Sequence, residues 1–168
     1  MDDQQLWNLG TVRLKGLLEG LSGGTGLVLK ELLIRYREAK EALAAVVAGV
    51  DAASVCRECG GQCCLNGKYR INVLDTLARV AAEIPTSADF LQKPLCPYGT
   101  IAGCAMEPGL RPADCVLFIC DSIDLQLSPN SRLILARQEQ DIRACIHAAS
   151  SLTGEPLGTP LLLWAAKK

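Results

Sequence analysis

The sequence predicts a mainly α protein, one small helical domain whose middle is rich in loops. Two observations set that class. Apolar residues recur at three- and four-residue intervals on both sides of the centre, the spacing of one helix face. Between them, Cys56-Arg57-Glu58-Cys59-Gly60-Gly61-Gln62-Cys63-Cys64 and a following proline- and glycine-rich stretch show no such period. The totals agree. A chain of 168 residues can bury a real core, and at 49% apolar with only 4% aromatic residues that core should be aliphatic. A net charge of −1, without long runs of like charge, removes the usual electrostatic reason to expect nucleic acid as a partner.

In residues 6–21, Leu6, Leu9, Leu14, Leu17, Leu18 and Leu21 form an amphipathic pattern interrupted by Gly10, Gly16 and Gly20, which predicts one or two short helices. Ser22-Gly23-Gly24-Thr25-Gly26 then reads as a flexible linker. It is not a phosphate-binding loop, because Leu27 stands where that loop's lysine would be. Residues 27–50 form the strongest helix. Leu29, Leu32, Leu33, Tyr36, Ala39, Leu43, Val46, Val47 and Val50 share one face, and Glu31 and Arg35 are spaced to pair on the other. At 1.5 Å per residue it would run roughly 35 Å.

Asn66-Gly67 signals a turn, and Ile71 with Val73 a short extended piece. Leu74, Leu77, Val80, Ala81 and Ile84 mark a helix that stops at Pro85. Thr86, with Asp89 three residues later, resembles a capping box opening a short helix through Phe90 and Leu91. Ser128-Pro129 has the N-cap and N1-proline form of a helix start. Leu135, Ile142, Cys145, Ile146 and Ala149 line one face of that helix, and Gly154 and Pro156 supply its stop. Pro160-Leu161-Leu162-Leu163-Trp164 reads as a last turn packed on the core.

Residues 93–114 differ in kind. They hold Pro94, Pro97, Pro108 and Pro112 together with Gly99, Gly103 and Gly109, so neither a long helix nor a central strand can form. A loop of that length needs another reason to be ordered. Cys96, Cys104, Cys115 and Cys120 supply one, as ligands that would hold the loop against Cys56, Cys59, Cys63 and Cys64. The N-terminus has no basic and apolar signal segment, and the longest apolar runs fall short of the ~20 residues that span a bilayer. A reducing cytoplasm is therefore expected, without membrane attachment. There, clustered cysteines read as metal ligands or redox groups rather than as disulfides.

Cys-x2-Cys brings two thiolates onto one ion, as in zinc and iron–sulfur sites. Adjacent cysteines do not both point comfortably at one small ion. Cys63-Cys64 therefore suggests two nearby sites or one polynuclear cluster, and eight ligands divide into two four-thiolate sets whose membership the spacing leaves open. Sulfur-only ligation favours zinc, iron–sulfur clusters or Cu(I). The single histidine, His147, lies on the late helix, so neither a Cys/His zinc site nor a histidine-based catalytic dyad is expected. Cys145 occupies an apolar helical position and reads as a small buried hydrophobe. Arg57, Lys68, Arg70, Lys93 and Arg111 are close enough in sequence either to offset thiolate charge or to be ordinary solvated surface.

Cys56-x2-Cys59-x3-Cys63-Cys64, Cys96-Pro97-Tyr98, Gly103-Cys104 and Arg111-Pro112-x-x-Cys115-x4-Cys120 resemble the bacterial and archaeal YkgJ-like cysteine-cluster family. That family is described as zinc- or iron-chelating, and some members are labelled iron–sulfur oxidoreductases. The resemblance covers roughly residues 54–122. It departs from the family in having three residues before the cysteine pair, and in Val116-Leu117-Phe118-Ile119, where the family usually has Arg and Phe-Pro. It implies metal at the eight cysteines and no particular reaction. The order of cysteines in radical-SAM enzymes is absent, as is the two-cluster ferredoxin run.

The resulting expectation is a mainly α, small helical domain with a loop-rich, cysteine-ligated metal centre. Residues 1–53 would be a helical segment, 54–122 the cysteine-cluster region and 123–168 a helix and tail, in one compact domain. The metal would be an iron–sulfur cluster, 4Fe–4S foremost, or zinc, at two sites of four cysteines each. The protein would act in electron transfer or as an accessory factor. No catalytic residue is assigned; if it is an enzyme, an iron–sulfur oxidoreductase is the expectation. The alternatives are a structural-zinc module meeting a protein partner through the N-terminal helices, and a metal-handling or thiol-redox protein with Cys63 and Cys64 as labile ligands.

Overall fold

The computed structural model describes residues 1–168 except 22, 61, 66, 93–95, 101–102 and 168; the side-chain surroundings of Gln92 and Gly103 also lie outside the description. The helices are α1 (Asp3–Gly20), α2 (Gly23–Ala48), α3 (Ala52–Glu58) and α4 (Val73–Ala81), followed by α5 (Ala113–Leu117), α6 (Asp121–Asp124), α7 (Pro129–Thr153) and α8 (Leu161–Ala166). Between α4 and α5 lies a small antiparallel hairpin of β1 (Gly99–Thr100) and β2 (Gly103–Cys104). The long helices α2 and α7 pack along one another, α1 lies against α8 and α4, and one apolar core runs through all of them. The structure is mainly helical, as expected. Among the described residues no helix is long and apolar enough to cross a membrane.

α1 is one helix rather than two. Asp2 caps it in a reciprocal box, in which the Gln5 amide donates to the Asp2 carboxylate (2.8 Å) and the Asp2 amide donates to the Gln5 side chain (3.0 Å). Gly10 does not break the helix because packing requires it. A Cβ there would stand 2.9 Å from Leu161 Cδ1 and 3.3 Å from Ala165 Cβ, so the glycine lets α8 approach. Gly16 faces open space.

The glycine run is likewise not a linker. Gly23 takes a left-handed φ of 59°, and from there the run forms the first turn of α2. α2 then buries Leu29, Leu33, Tyr36, Ala39 and Leu43, as the periodicity requires. Lys40 shares that face and is fully buried, which the apolar pattern did not indicate. The i,i+4 ion pair formed on this helix among the described residues is Arg37–Glu41, 3.9 Å apart, not Glu31–Arg35.

Val73 opens α4 rather than continuing the extended piece expected there. Of Ile71 to Val73, Asn72 forms a bridge, to Pro160, and the chain on either side of it is bonded to the tail: the Leu161 amide donates to the Ile71 carbonyl (2.9 Å) and the Val73 amide to the Thr159 carbonyl (2.9 Å). The Thr86–Asp89 box does not form a helix either. The Thr86 carbonyl accepts the Trp7 indole N–H (2.7 Å) and the Tyr98 hydroxyl (3.3 Å), and Asp89 caps only a 3-10 turn, Phe90–Gln92, by accepting the Leu91 amide (2.9 Å). Trp7 meets Phe90 and Tyr98 edge-on, with centroids 5.7 and 6.0 Å away, so α1 holds the entry to the cysteine loop.

α7 follows its sequence signals closely. Ser128 Oγ accepts the Ser131 amide (3.0 Å), and Gly154, at φ 72°, ends the helix in the left-handed region. Leu135, Ile142, Cys145 and Ala149 are buried and His147 is exposed.

These contacts separate two glycines in α1. Gly10→Val should destabilise the fold by about 1–3 kcal/mol through overpacking against α8. Gly16→Ala, with nothing near its Cβ, should stabilise it by about 0.5–1 kcal/mol. Denaturant unfolding of the two variants checks this, and equal effects of the same sign would contradict the packing account.

Candidate metal centre

Asp51 takes a left-handed φ of 50° and turns the chain from α2 into α3. α3 carries Cys56, and Cys59 closes it with its thiol donating to the Cys56 carbonyl (3.4 Å). Gly60, at φ 63°, reverses the chain again. A 3-10 turn, Gln62–Cys64, then presents the adjacent pair. The Cys96 amide donates to the Cys64 carbonyl (3.0 Å), which ties the two cysteine-bearing segments by their backbones. The Cys96 carbonyl in turn accepts the Gly99 amide (2.8 Å), and Gly99 stands opposite Cys104 in the hairpin. The Met106 amide points at the Cys104 sulfur (3.4 Å). Cys115 lies on α5 and Cys120 is the N-cap of α6, which packs on α3.

Gly67 has a sharper role than its turn signal suggested. A Cβ at this position would lie 2.8 Å from Cys96 Cβ and 3.4 Å from its sulfur, so the glycine makes room for that cysteine. Asn66, the other half of the turn signal, lies outside the described residues, as does Lys93.

All nine cysteines are free thiols. Cys56, Cys59 and Cys104 are exposed, Cys63, Cys64, Cys115 and Cys120 half-buried, and Cys96 buried. Their electrostatics place them near one another. Burial raises the Cys56 thiol, Cys63, Cys59 and Cys120 raise it further, and Arg111 opposes them. Burial and then the neighbouring Cys63 push Cys64 up to about 11, with Cys96 and Cys104 adding to the effect. Burial raises Cys96 against a hydrogen bond from the Tyr98 amide, with Cys104 raising and Arg70 lowering it. Cys115 is pushed well up by burial, against Arg70 and with Cys96, Asp75 and Cys104. Cys145 has Arg35 and Asp141 as its charged neighbours instead and stays in the core.

The donor chemistry therefore fits a soft cation: eight thiols without a histidine. The thiols are gathered but not closed on a point. Among the described residues no three Cys, His, Asp or Glu side chains stand close enough together to hold a metal ion. Of the basic residues expected near the thiols, Arg70 and Arg111 face them. Lys68 is ion-paired with Asp3 (2.8 Å), and Arg57 is exposed.

The strongest anchor of the region carries no signal in the cysteine spacing. Asp75, 1% exposed, accepts Tyr36 Oη (2.8 Å), Lys40 Nζ (2.9 Å), the Asn72 amide (3.2 Å) and the Ala113 amide (3.2 Å). Lys40 Nζ also donates to the Arg111 carbonyl (2.8 Å) and lies 4.2 Å from the Tyr36 ring centroid. Lys40 and Asp75 thus fix the Arg111–Ala113 backbone, one turn ahead of Cys115. Asn72-x-x-Asp75 was the available clue, a capping box in which the Asp75 amide returns a bond to Asn72 (2.7 Å).

No protein-family model, curated protein or solved structure matches this chain.

Replacing Lys40 by Met should cost about 3–5 kcal/mol, because the Asp75 carboxylate stays buried without its cation. Lys40→Met combined with Asp75→Leu should cost clearly less than the sum of the single changes. Urea denaturation of the three variants and wild type completes the cycle, and simple additivity would refute the coupling.

Proposed function

We propose that the protein is a metal-binding cysteine-cluster protein that carries iron–sulfur, or iron or zinc, on thiolates from Cys56 to Cys120. It would serve in electron transfer or as an accessory factor in a reducing compartment. The observation that supports this best is the sorting of the nine cysteines. Eight, drawn from α3 and its C-cap, a 3-10 turn, the chain before the hairpin, the hairpin, α5 and the cap of α6, are electrostatic neighbours of other cysteines, and the ninth is packed in the core away from them. The resemblance of the cysteine motifs to the YkgJ-like family also supports this reading. An iron–sulfur group held by these thiolates would supply one-electron chemistry, and zinc would supply cross-linking alone.

The rest of the chain would provide charge and support. Arg70 and Arg111 offset thiolate charge, and Gly67 admits Cys96. The Lys40–Asp75 pair holds the backbone leading to Cys115.

A structural-zinc module is the second reading. It is favoured by the short, irregular turns on which most of the thiols sit, since such segments gain order from a cross-link. In that reading a protein partner would meet the exposed Val12 and Leu27 on α1 and α2.

Protein purified without oxygen should contain iron and acid-labile sulfide, with visible absorption that dithionite bleaches. Colourless protein with stoichiometric zinc and no sulfide would replace the iron–sulfur reading with the zinc one. Protein with neither metal, unable to take up either on reconstitution, would overturn both.

A further inference from the structure

We propose that Cys56 and Cys59 are a redox pair, which a low-molecular-weight disulfide closes reversibly to an intramolecular Cys56–Cys59 disulfide. The pairing needs no metal; only its effect on metal uptake rests on the metal-binding reading above.

The geometry comes from α3. Cys56 lies in its last turn, and Cys59, its C-cap, keeps a helical backbone with φ −78° and ψ −3°. The Cys59 amide donates to the Val55 carbonyl (3.1 Å), so the helical path runs through both cysteines. Residues three apart on a helix share a face, with Cα atoms about 5 Å apart by its rise and radius. That lies inside the range of roughly 4.4–6.8 Å that a disulfide spans. The Cβ atoms must still draw in, from about 5–6 Å on a helix to roughly 3.5–4.5 Å. The end of α3 allows this. The Gly60 amide donates to the Arg57 carbonyl (3.2 Å), a 3-10 bond, and 3-10 geometry brings residues i and i+3 into line. Gly60 takes a left-handed φ of 63° with nothing within 4 Å of a Cβ there, so packing does not resist a small shift of the turn. The Cys59 sulfur already lies 3.4 Å from the Cys56 carbonyl oxygen, against the residue it would join. Both cysteines are exposed, so a small disulfide reaches either sulfur.

The other thiols are placed less well. Cys63 and Cys64 are adjacent, and the separation of about 3.8 Å between neighbouring Cα atoms falls below the disulfide range. Cys96 is buried, and Cys115 and Cys120 are half-buried. Cys104 is exposed on β2, which packs on α3, and is the competing partner.

Closure takes two successive exchanges. The thiolate of one cysteine attacks a sulfur of the small disulfide, which forms a mixed disulfide and releases one small thiolate. The thiolate of the other cysteine attacks the protein sulfur of that mixed disulfide and releases the second. The protons given up by Cys56 and Cys59 end on the two released thiols. The protein pair is thus oxidised by two electrons and the small disulfide reduced by two, and an excess of a reducing dithiol runs the sequence back. In the closed form neither sulfur is a thiolate, so both are withheld from a metal ion.

Arg57 stands between the two cysteines and provides the assay. The full chain, reduced and freed of metal with a chelator, is treated with oxidised glutathione. Remaining thiols are alkylated and the protein is cut with trypsin. The disulfide should join the peptide that ends at Arg57 to the one that begins at Glu58, with Cys63 and Cys64 alkylated. The join should persist in C63S/C64S and in C104S, vanish in C59S, and open on treatment with dithiothreitol. A join that survives in C59S, a first disulfide between any other two cysteines, or glutathione held in mixed disulfides without a protein disulfide would overturn the pairing. The closed wild type should also retain less Co(II) against a competing chelator than the reduced protein, and regain it on reduction. Equal retention in the two states would overturn the effect on metal uptake. No retention in either state would count against the metal-binding reading, while the peptide map still decides the disulfide.

Discussion

An ammonium and a carboxylate that see no water, Lys40 and Asp75, hold this structure together. Burying such a pair costs several kcal/mol per ion, and the attraction between them offsets that only when the remaining donors and acceptors are also satisfied. Here they are. Asp75 accepts from Tyr36, Asn72 and Ala113 besides Lys40, and Lys40 donates to the Arg111 carbonyl while lying over the Tyr36 ring. These partners come from α2, from the cap of α4 and from the strand of loop that enters α5. No member can move without stranding a buried polar group, so the pair makes three segments depend on one another. Apolar packing alone would not impose this, because an aliphatic core tolerates sliding that a fully bonded charge pair does not.

The consequence falls on the cysteine region. The described residues between α4 and α5 form short turns and a small hairpin, which reach the core through Phe90, Tyr98, Met106 and Leu110. They are pinned at two ends. At the entry, Trp7 packs on Phe90 and Tyr98 and bonds the Thr86 carbonyl, and Arg79 adds its guanidinium over the Tyr98 ring at 5.2 Å. At the exit, Lys40 and Asp75 fix Arg111 to Ala113. Near the middle, the Cys96–Cys64 backbone bond draws the loop to the first cysteine motif. The helices thus bring eight thiols into one neighbourhood without bringing any three of them within reach of a single ion.

What the sequence revealed follows from which forces leave a local mark. The long helices were legible because burial repeats with the helical period, and α7 because Ser128, Pro129 and Gly154 act on their own backbone. Cys145 and the eight other thiols were separable because one sits in an apolar stripe and the rest in turn-forming sequence. The misreadings share a cause. Gly10 and the Gly23–Gly26 run look like interruptions, yet a helix can keep a glycine where a neighbouring helix must come close, and that neighbour of Gly10, α8, is at the far end of the chain. Thr86 looked like a cap because Asp89 follows at the right distance. Its carbonyl is instead committed to Trp7, a long-range contact with no local signature. Lys40 was hidden for the same reason, since nothing near it in sequence says that Asp75 will be opposite.

This arrangement makes order in the thiol region and stability of the helical frame two views of one equilibrium. Anything that binds the folded thiols and not the unfolded chain stabilises the whole by mass action. Here that stabilisation has a defined route, from Cys115 through Ala113 and Arg111 to the buried pair, and from there into α2 and α4. The coupling runs both ways. The pair holds the exit of the loop in place, so a cation bound as proposed would leave less entropy to be lost in ordering that end. Cys56, Cys59 and Cys104 are the exposed thiols and Cys96 the buried one, and Cys104 is joined to the anchor through Met106 and Arg111. Under the proposed metal-binding reading, the movement that brings the thiols onto an ion would fall to the segments that rest on turns, α3 among them, and not to the long helices that carry the core.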